Sequence, residues 1–273
     1  MAKITLHKIV FSKEKLKAVP DCQRAVLVYA GHISNELNWF KKSILFLQQS
    51  SKEIAGKSLE NRTLQEQAVL DGCTTQMMIL VRLLAAKTSE STKFLHRWCF
   101  GMPWFAELCD DMDSKGKSSL NELNQYLSAA KNNLKNNILY IVRNKIAFHY
   151  DEEAVKHSIN VPDRLEEFTT YLAENVGNTL YVGSENIVTD YLVETIKPGH
   201  AEEVIDQLMN ETLTVSGWIQ DVLGHTLSGL IWKHIGQDLP GIGKEDDIEM
   251  EVSYIEDQNP AYFVASKRDN QEE

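Results

Sequence analysis

An all-α fold is what this sequence predicts, on three observations. Glycine and proline are scarce, at 14 and 6 of 273 residues, too few for the turns of an all-β chain. Apolar residues recur at three- and four-residue steps over stretches of helical length. A hydrophobic content of 43% and a charged content of 25% are those of an ordinary globular protein with a sizeable core. The expected architecture is a helical bundle with an additional C-terminal helix and one small β-hairpin.

Pro20-Asp21 opens the first long helix. Ala25, Val28, Tyr29, Ile33, Leu37, Phe40, Ile44 and Leu47 form its inward stripe. A second helix is expected from Leu59 to Ala86, facing inward through Leu64, Ala68, Leu70, Met77, Leu80, Val81 and Leu84. Gly72 inside it costs about 1 kcal/mol relative to Ala, which predicts close packing or a kink there. The aromatic stretch from Ser91 to Met112 reads as two short helices meeting at Gly101-Met102-Pro103. A polar loop from Asp113 to Ser119 follows, and Ser119 with Glu122 has the spacing of a capping box.

The next helix, Leu120 to Phe148, has an apolar stripe through Leu123, Leu127, Leu134, Ile138 and Ile141. A shorter helix is expected over Asp163–Asn175, and the β-prone run Thr179–Gly183 as one strand of the hairpin. Ile187–Ile196 fits a strand and a helix equally well. Lys197-Pro198-Gly199 then breaks the chain before a last long helix, His200–Gly236. On that helix Gly217, Gly224 and Gly229 would permit close helix approach, with Trp218 and Trp232 as core. The chain is expected to form one helical domain over 1–240 and an acidic, weakly ordered tail over 241–273.

The formal charge of −11 is concentrated at the end: Lys244–Glu273 holds ten acids against three bases. The body therefore remains open to an anionic ligand. Four cysteines (Cys22, Cys73, Cys99, Cys109) form no C-x-x-C pair, and no apolar leader opens the sequence. The longest apolar run, Met77–Ala86, is short for a bilayer and interrupted by Arg82. A cytoplasmic protein with free thiols and no membrane association is the expectation.

Chemistry concentrates in Arg143-Asn144-Lys145-Ile146-Ala147-Phe148-His149-Tyr150. No acidic residue occurs between Lys131 and Tyr150. An imidazole can move a proton to or from a hydroxyl, and a guanidinium matches the oxygens of a phosphate. On an unbroken α-helix Arg143 and His149 would point about 120° apart and lie about 9 Å apart along the axis. Both reach one phosphate only if the helix distorts or a two-fold partner completes the cleft, so a homodimer is expected. Lys131, Lys135 and Lys145 are the candidate RNA contacts. The opposing reading is ordinary: His149 complements a helix C-terminus and the cations are a solvated face.

Arg143-Asn144-x-x-x-x-His149, late on a long helix of an all-α chain, resembles the HEPN (higher eukaryotes and prokaryotes nucleotide-binding) superfamily over about residues 20–175. The resemblance implies a metal-independent endoribonuclease acting as a dimer with a composite cleft. It gives His149 proton transfer, Arg143 the scissile phosphate and Asn144 an orienting role. It also implies RNA, and a protein antitoxin or regulator, as partners in toxin–antitoxin or phage-defence settings. The alternative is a non-catalytic helical module that binds a nucleotide or a protein partner.

No cofactor is expected, and no metal. His96-x-x-Cys99 with Cys109, and His225 and His234 with Asp238, lack the fourth ligand of a structural zinc site. Ser114–Ser119 lacks the spacing and preceding strand of a phosphate loop. A third alternative, behind those two, is a purely structural helical scaffold whose acidic tail, opposite in charge to the motif helix, masks the basic groove.

Overall fold

The computed structural model describes residues 2–7, 12–132, 137–146, 156, 169–173, 179–234, 236 and 247–252. Its described residues form eight α-helices and one two-stranded sheet, an all-α bundle as the composition predicts. In chain order these are β1 (Ala2–His7), α1 (Lys13–Ala18), α2 (Asp21–Ala55), α3 (Leu64–Trp98), α4 (Pro103–Asp110), α5 (Ser114–Asn132), α6 (Ile138–Ile141), α7 (Val182–Ile196), α8 (Ala201–His234) and β2 (Asp247–Val252). A 3-10 turn, Leu59–Asn61, precedes α3, and a π-helical turn, Val142–Ile146, follows α6.

The chain divides into two compact units. The first comprises Met1–Lys42, Val81–His149 and Glu202–Tyr254; the second comprises Ser43–Leu80, Tyr150–Ala201 and Ile255–Glu273. The first unit buries Val26, Ala30, Ile33 and Leu37 of α2, Leu84, Ala85 and Leu95 of α3, and Leu123 of α5. α8 contributes Leu208, Val215, Ile219, Val222, Leu223 and Leu230 at three- and four-residue steps. Polar pairs tie the helices at their margins: Lys41 Nζ donates to Gln220 Oε1 (2.6 Å), Lys115 Nζ pairs with Asp221 (2.7 Å), and Lys233 Nζ with Glu107 (2.7 Å).

In the second unit the turn between α2 and α3 is held by Arg62, which donates to the carbonyls of Ile54 (3.2 Å), Ala55 (3.2 Å) and Lys57 (2.7 Å). Thr63 and Glu66 form a reciprocal capping box: Oγ1 accepts the Glu66 N–H at 3.2 Å and Oε2 accepts the Thr63 N–H at 3.0 Å. The same unit places the Tyr171 phenol 2.8 Å from Asp71 Oδ2, and burial followed by that carboxylate pushes the phenol up to about 12.

Several expected elements differ. The second helix starts at Leu64 behind the Thr63 cap and runs on to Trp98, so only α4 lies beyond the corner, where Gly101 takes φ +79°. The 113–119 loop is helical: Asp113 Oδ1 accepts the Gly116 N–H at 2.7 Å and starts α5 early. Ser119 is therefore no cap; it is buried and donates to Asp221 Oδ2 at 2.9 Å. The motif helix is not continuous from Leu120, because Asn137 caps a new start at Ile138. Ile187–Ile196 is helical within α7. The hairpin at Thr179–Gly183 reduces to one antiparallel bridge, Tyr171 to Leu180, whose backbone pairing removes the helix expected through Asp163–Asn175 at its described residues.

Inside the acidic tail, Asp247–Val252 alternates polar and apolar residues, the period of a strand. It pairs antiparallel with β1, Lys3 opposite Glu251 and Ile4 opposite Met250. Of the tail over 241–273 to which masking was assigned, residues 241–246 and 253–273 lie outside the described residues. Val28 and Tyr29 are 54% exposed, Leu64 88% and Trp232 63%, so these four are not core. Among the three glycines expected to allow close approach, only Gly229 needs it, its absent Cβ lying 2.9 Å from Leu108 Cδ2. α3 contains an 18-residue window of mean hydropathy 1.4, long and apolar enough for a bilayer span by composition, although 44% of the window is buried within the protein.

Gly116 is the tightest glycine described: a Cβ would meet His225 Cδ2 at 2.4 Å and Nε2 at 2.7 Å. A helical Gly→Ala exchange ordinarily gains about 1 kcal/mol. Here displacement of a ring that also lies 3.2 Å from Asp113 reverses the sign. Gly116→Ala is expected to lower stability by about 1–2 kcal/mol in urea titration, within the usual range of overpacking. Thr63→Ala should cost about 1 kcal/mol by loss of the cap.

Candidate functional site

The site is assembled wholly within the first unit, from the side chain of Tyr126 outward. Its phenol donates to Glu211 Oε1 of α8 at 2.7 Å and accepts from Asn137 Nδ2 at 2.7 Å. Burial, then the Glu211 charge, raises the phenol above its ordinary range. The other end of the same carboxamide, Asn137 Oδ1, accepts the Tyr140 N–H at 2.9 Å and caps α6. One residue thus fixes both the place and the direction of the restart.

After one turn, with Ile138, Leu139 and Ile141 buried, the helix widens into the π-helical turn Val142–Ile146. Wide turns of this kind are rare and recur at functional positions. Val142 and Ile146 are buried and anchor the widened turn. Arg143 between them keeps a side chain 35% exposed. Its Nε donates to Glu90 Oε1 of α3 at 2.7 Å, and its Nη1 donates to Asn144 Oδ1. Asn144 Nδ2 in turn donates to the Tyr140 carbonyl at 2.8 Å. The carboxamide of Asn144 therefore braces the guanidinium against the backbone one turn earlier.

Glu90 also accepts from Lys93 Nζ at 2.9 Å. Burial pushes its carboxyl up, but the hydrogen bonds and charges of Lys93 and Arg143 outweigh that and hold it below the usual glutamate range. The clamp therefore persists at neutral pH and is lost only as pH falls through that depressed value. Along α3 the spacing Glu90, Lys93, His96 repeats every three residues on one side of the helix. Lys131, at the end of α5, lies with Nζ 3.3 Å from Nε2 of His96. A cavity of about 340 Å³ opens here, lined by Ser89, Thr92, Lys93, His96, Tyr126, Leu127, Ala130, Lys131, Asn137, Leu139 and Tyr140.

Of the residues predicted for the site, Arg143 and Asn144 are brought together by a direct hydrogen bond. Lys131 lies instead at the cavity with His96, and Lys145 is exposed on the π-helical turn. His149 and Lys135 lie outside the described residues. The 120° divergence of Arg143 and His149 assumed an unbroken α-helix, and the π-helical turn between them removes that premise. Sequence reasoning missed Glu90, Lys93, Tyr126 and Tyr140. The three-residue charge spacing on α3 was available as a signal, whereas the pairing of Glu90 with Arg143 is tertiary.

Among the described residues no group of three or more His, Cys, Asp and Glu side chains gathers as a metal site. Cys99 is buried, which together with Cys109 pushes its thiol up to about 12. His96 meets Lys131, and His234 Nε2 lies 2.5 Å from Gln23 Oε1. Comparison with protein-family models, with curated proteins and with solved structures finds no match to this chain.

Asn137→Ala removes a cap and the donor that the part-buried Tyr126 hydroxyl oxygen accepts from. A loss of about 1–2 kcal/mol is expected in urea titration, with the exposure of a tryptic site near Arg143 rising in parallel.

Proposed function

We propose that this chain is a metal-independent endoribonuclease of the HEPN type, acting as a cytoplasmic homodimer. The single observation that carries the reading is the braced guanidinium of Arg143, held by Asn144 on a π-helical turn within a stretch free of acidic residues. In this reaction the 2′-hydroxyl of RNA attacks the adjacent phosphorus. The bond from phosphorus to the 5′-oxygen breaks, leaving a 2′,3′-cyclic phosphate and a 5′-hydroxyl. His149 takes the 2′-hydroxyl proton, the leaving oxygen gains one, and Arg143 stabilises the charge on the phosphoryl oxygens. RNA phosphate replaces Glu90 as the partner of Arg143.

A second reading draws on that same ion pair. With Glu90 already bound to Arg143, the chain would be a non-catalytic module that binds a nucleotide, or a protein partner such as an antitoxin or regulator, and cleaves nothing.

Incubation of the protein with single-stranded RNA in excess chelator separates the two. The ribonuclease reading predicts cyclic-phosphate ends, with cleavage reduced at least about 100-fold by His149→Ala or Arg143→Ala. Intact RNA over several sequences would favour the binding module. Sedimentation should show a dimer; a strict monomer at micromolar concentration would remove the composite cleft.

A further inference from the structure

We infer that the cavity between α3, α5 and α6 is a base pocket, which takes one splayed nucleobase of single-stranded RNA beside the phosphate held by Arg143. The inference rests on the proposed RNA-binding role of Arg143 and adds to it a subsite that sets sequence preference. Its first support is composition. The floor is apolar, through Leu127, Ala130 and Leu139, while Lys93, His96 and Lys131 supply the polar edge. An apolar slot rimmed by cations suits a flat heterocycle attached to an anionic backbone. A volume of about 340 Å³ accommodates one base with part of its sugar.

The second support is an aromatic platform. Tyr140 lines the cavity and is 39% exposed, a large ring not used by the core. Its backbone is doubly fixed, its N–H by Asn137 and its carbonyl by Asn144. A ring on a fixed backbone is a ready surface for base stacking. Tyr126 also lines the space, but its hydroxyl is committed to Glu211 and Asn137.

The third support is continuity with the phosphate-binding residue. Lys93 lines the cavity and shares the Glu90 carboxylate with Arg143. Tyr140 precedes Arg143 by three residues and is joined to it through Asn144. From Glu90 to His96 the α3 backbone advances about 9 Å. The base pocket and the guanidinium therefore border one carboxylate, which a bound phosphate displaces. At the far edge, Lys131 and His96 meet the phosphate on the other side of the flipped base.

The test uses fluorescence anisotropy of labelled ten-nucleotide 2′-O-methyl homopolymers of U, A and C, which lack the attacking hydroxyl and stay intact, with the full chain at two salt concentrations. Tyr140→Ala should weaken the preferred homopolymer about tenfold and flatten the preference among the three, while Tyr140→Phe restores both. Ala130→Phe, which fills the cavity without touching a polar group, should act like Tyr140→Ala. Lys131→Ala should weaken all three alike and reduce the salt slope by about 1. Thermal midpoints establish that each variant is folded.

Unchanged affinity and preference in folded Tyr140→Ala and Ala130→Phe, with binding lost in Arg143→Ala, would overturn the pocket and leave the Arg143 reading intact. Losses in the pocket variants with no cleavage of any RNA would support the pocket and overturn the ribonuclease. Binding of free nucleoside monophosphates as tightly as the oligomers would overturn RNA as the occupant. Absence of RNA binding by the unsubstituted chain would overturn both.

Discussion

The hydrogen bond from Asn137 to the Tyr126 phenol sets where the polypeptide resumes as a helix, and everything at the site is placed from that point. Tyr126 is itself held by Glu211 of α8, so the restart is referenced to two helices of the first unit. The capping of Tyr140 by the same asparagine fixes the phase of α6. From that phase follow the burial of Ile138, Leu139 and Ile141, the widened turn, and the outward placement of Arg143. A shift of the restart by one residue would rotate Arg143 away from Glu90 and Tyr140 away from the cavity.

The electrostatics are local. The chain carries −11 overall, yet Lys93 and Arg143 answer to one carboxylate, Glu90, rather than to the net charge. Glu90 stays ionised because Lys93 and Arg143 offset its burial, and it accepts from both cations. A cationic pair already held by one carboxylate would lose less conformational entropy if a phosphate replaced it. The ion pair is exposed enough that salt weakens it, as salt weakens binding of the phosphate that would replace it.

Much of the fold was legible in the sequence because long helices state themselves through periodicity: α2, α3 and α8 follow the apolar steps of their segments. Boundaries were less so. The capping-box spacing of Ser119 and Glu122 was real, but Asp113 capped the helix six residues earlier and buried Ser119 against Asp221. The working capping box, Thr63 with Glu66, has the same signature and lay inside the helix expected from Leu59, which in fact starts behind it. β2 was hidden by its acids, although its alternation has the period of a strand. Exposed Trp232 and Val28 show that apolar identity does not by itself place a residue inside. At the site, Arg143 and Asn144 could be singled out by chemistry, whereas Glu90, 53 residues away in sequence, could not. Nor could the break before Ile138, since Asn137 reads as one more polar residue in an Asn-rich stretch until Tyr126 meets it.

If the Tyr126–Asn137 hydrogen bond positions Arg143 for the proposed RNA, Tyr126 and Arg143 are energetically coupled in binding. A double-mutant cycle between Tyr126→Phe and Arg143→Ala, read as affinity for single-stranded 2′-O-methyl RNA, measures that coupling. Tyr126→Phe alone is expected to weaken binding, and the double variant to bind no more weakly than Arg143→Ala, a coupling of about 1 kcal/mol or more. Additive losses, or a Tyr126→Phe protein that is folded and binds RNA as tightly as the unsubstituted chain, would contradict it.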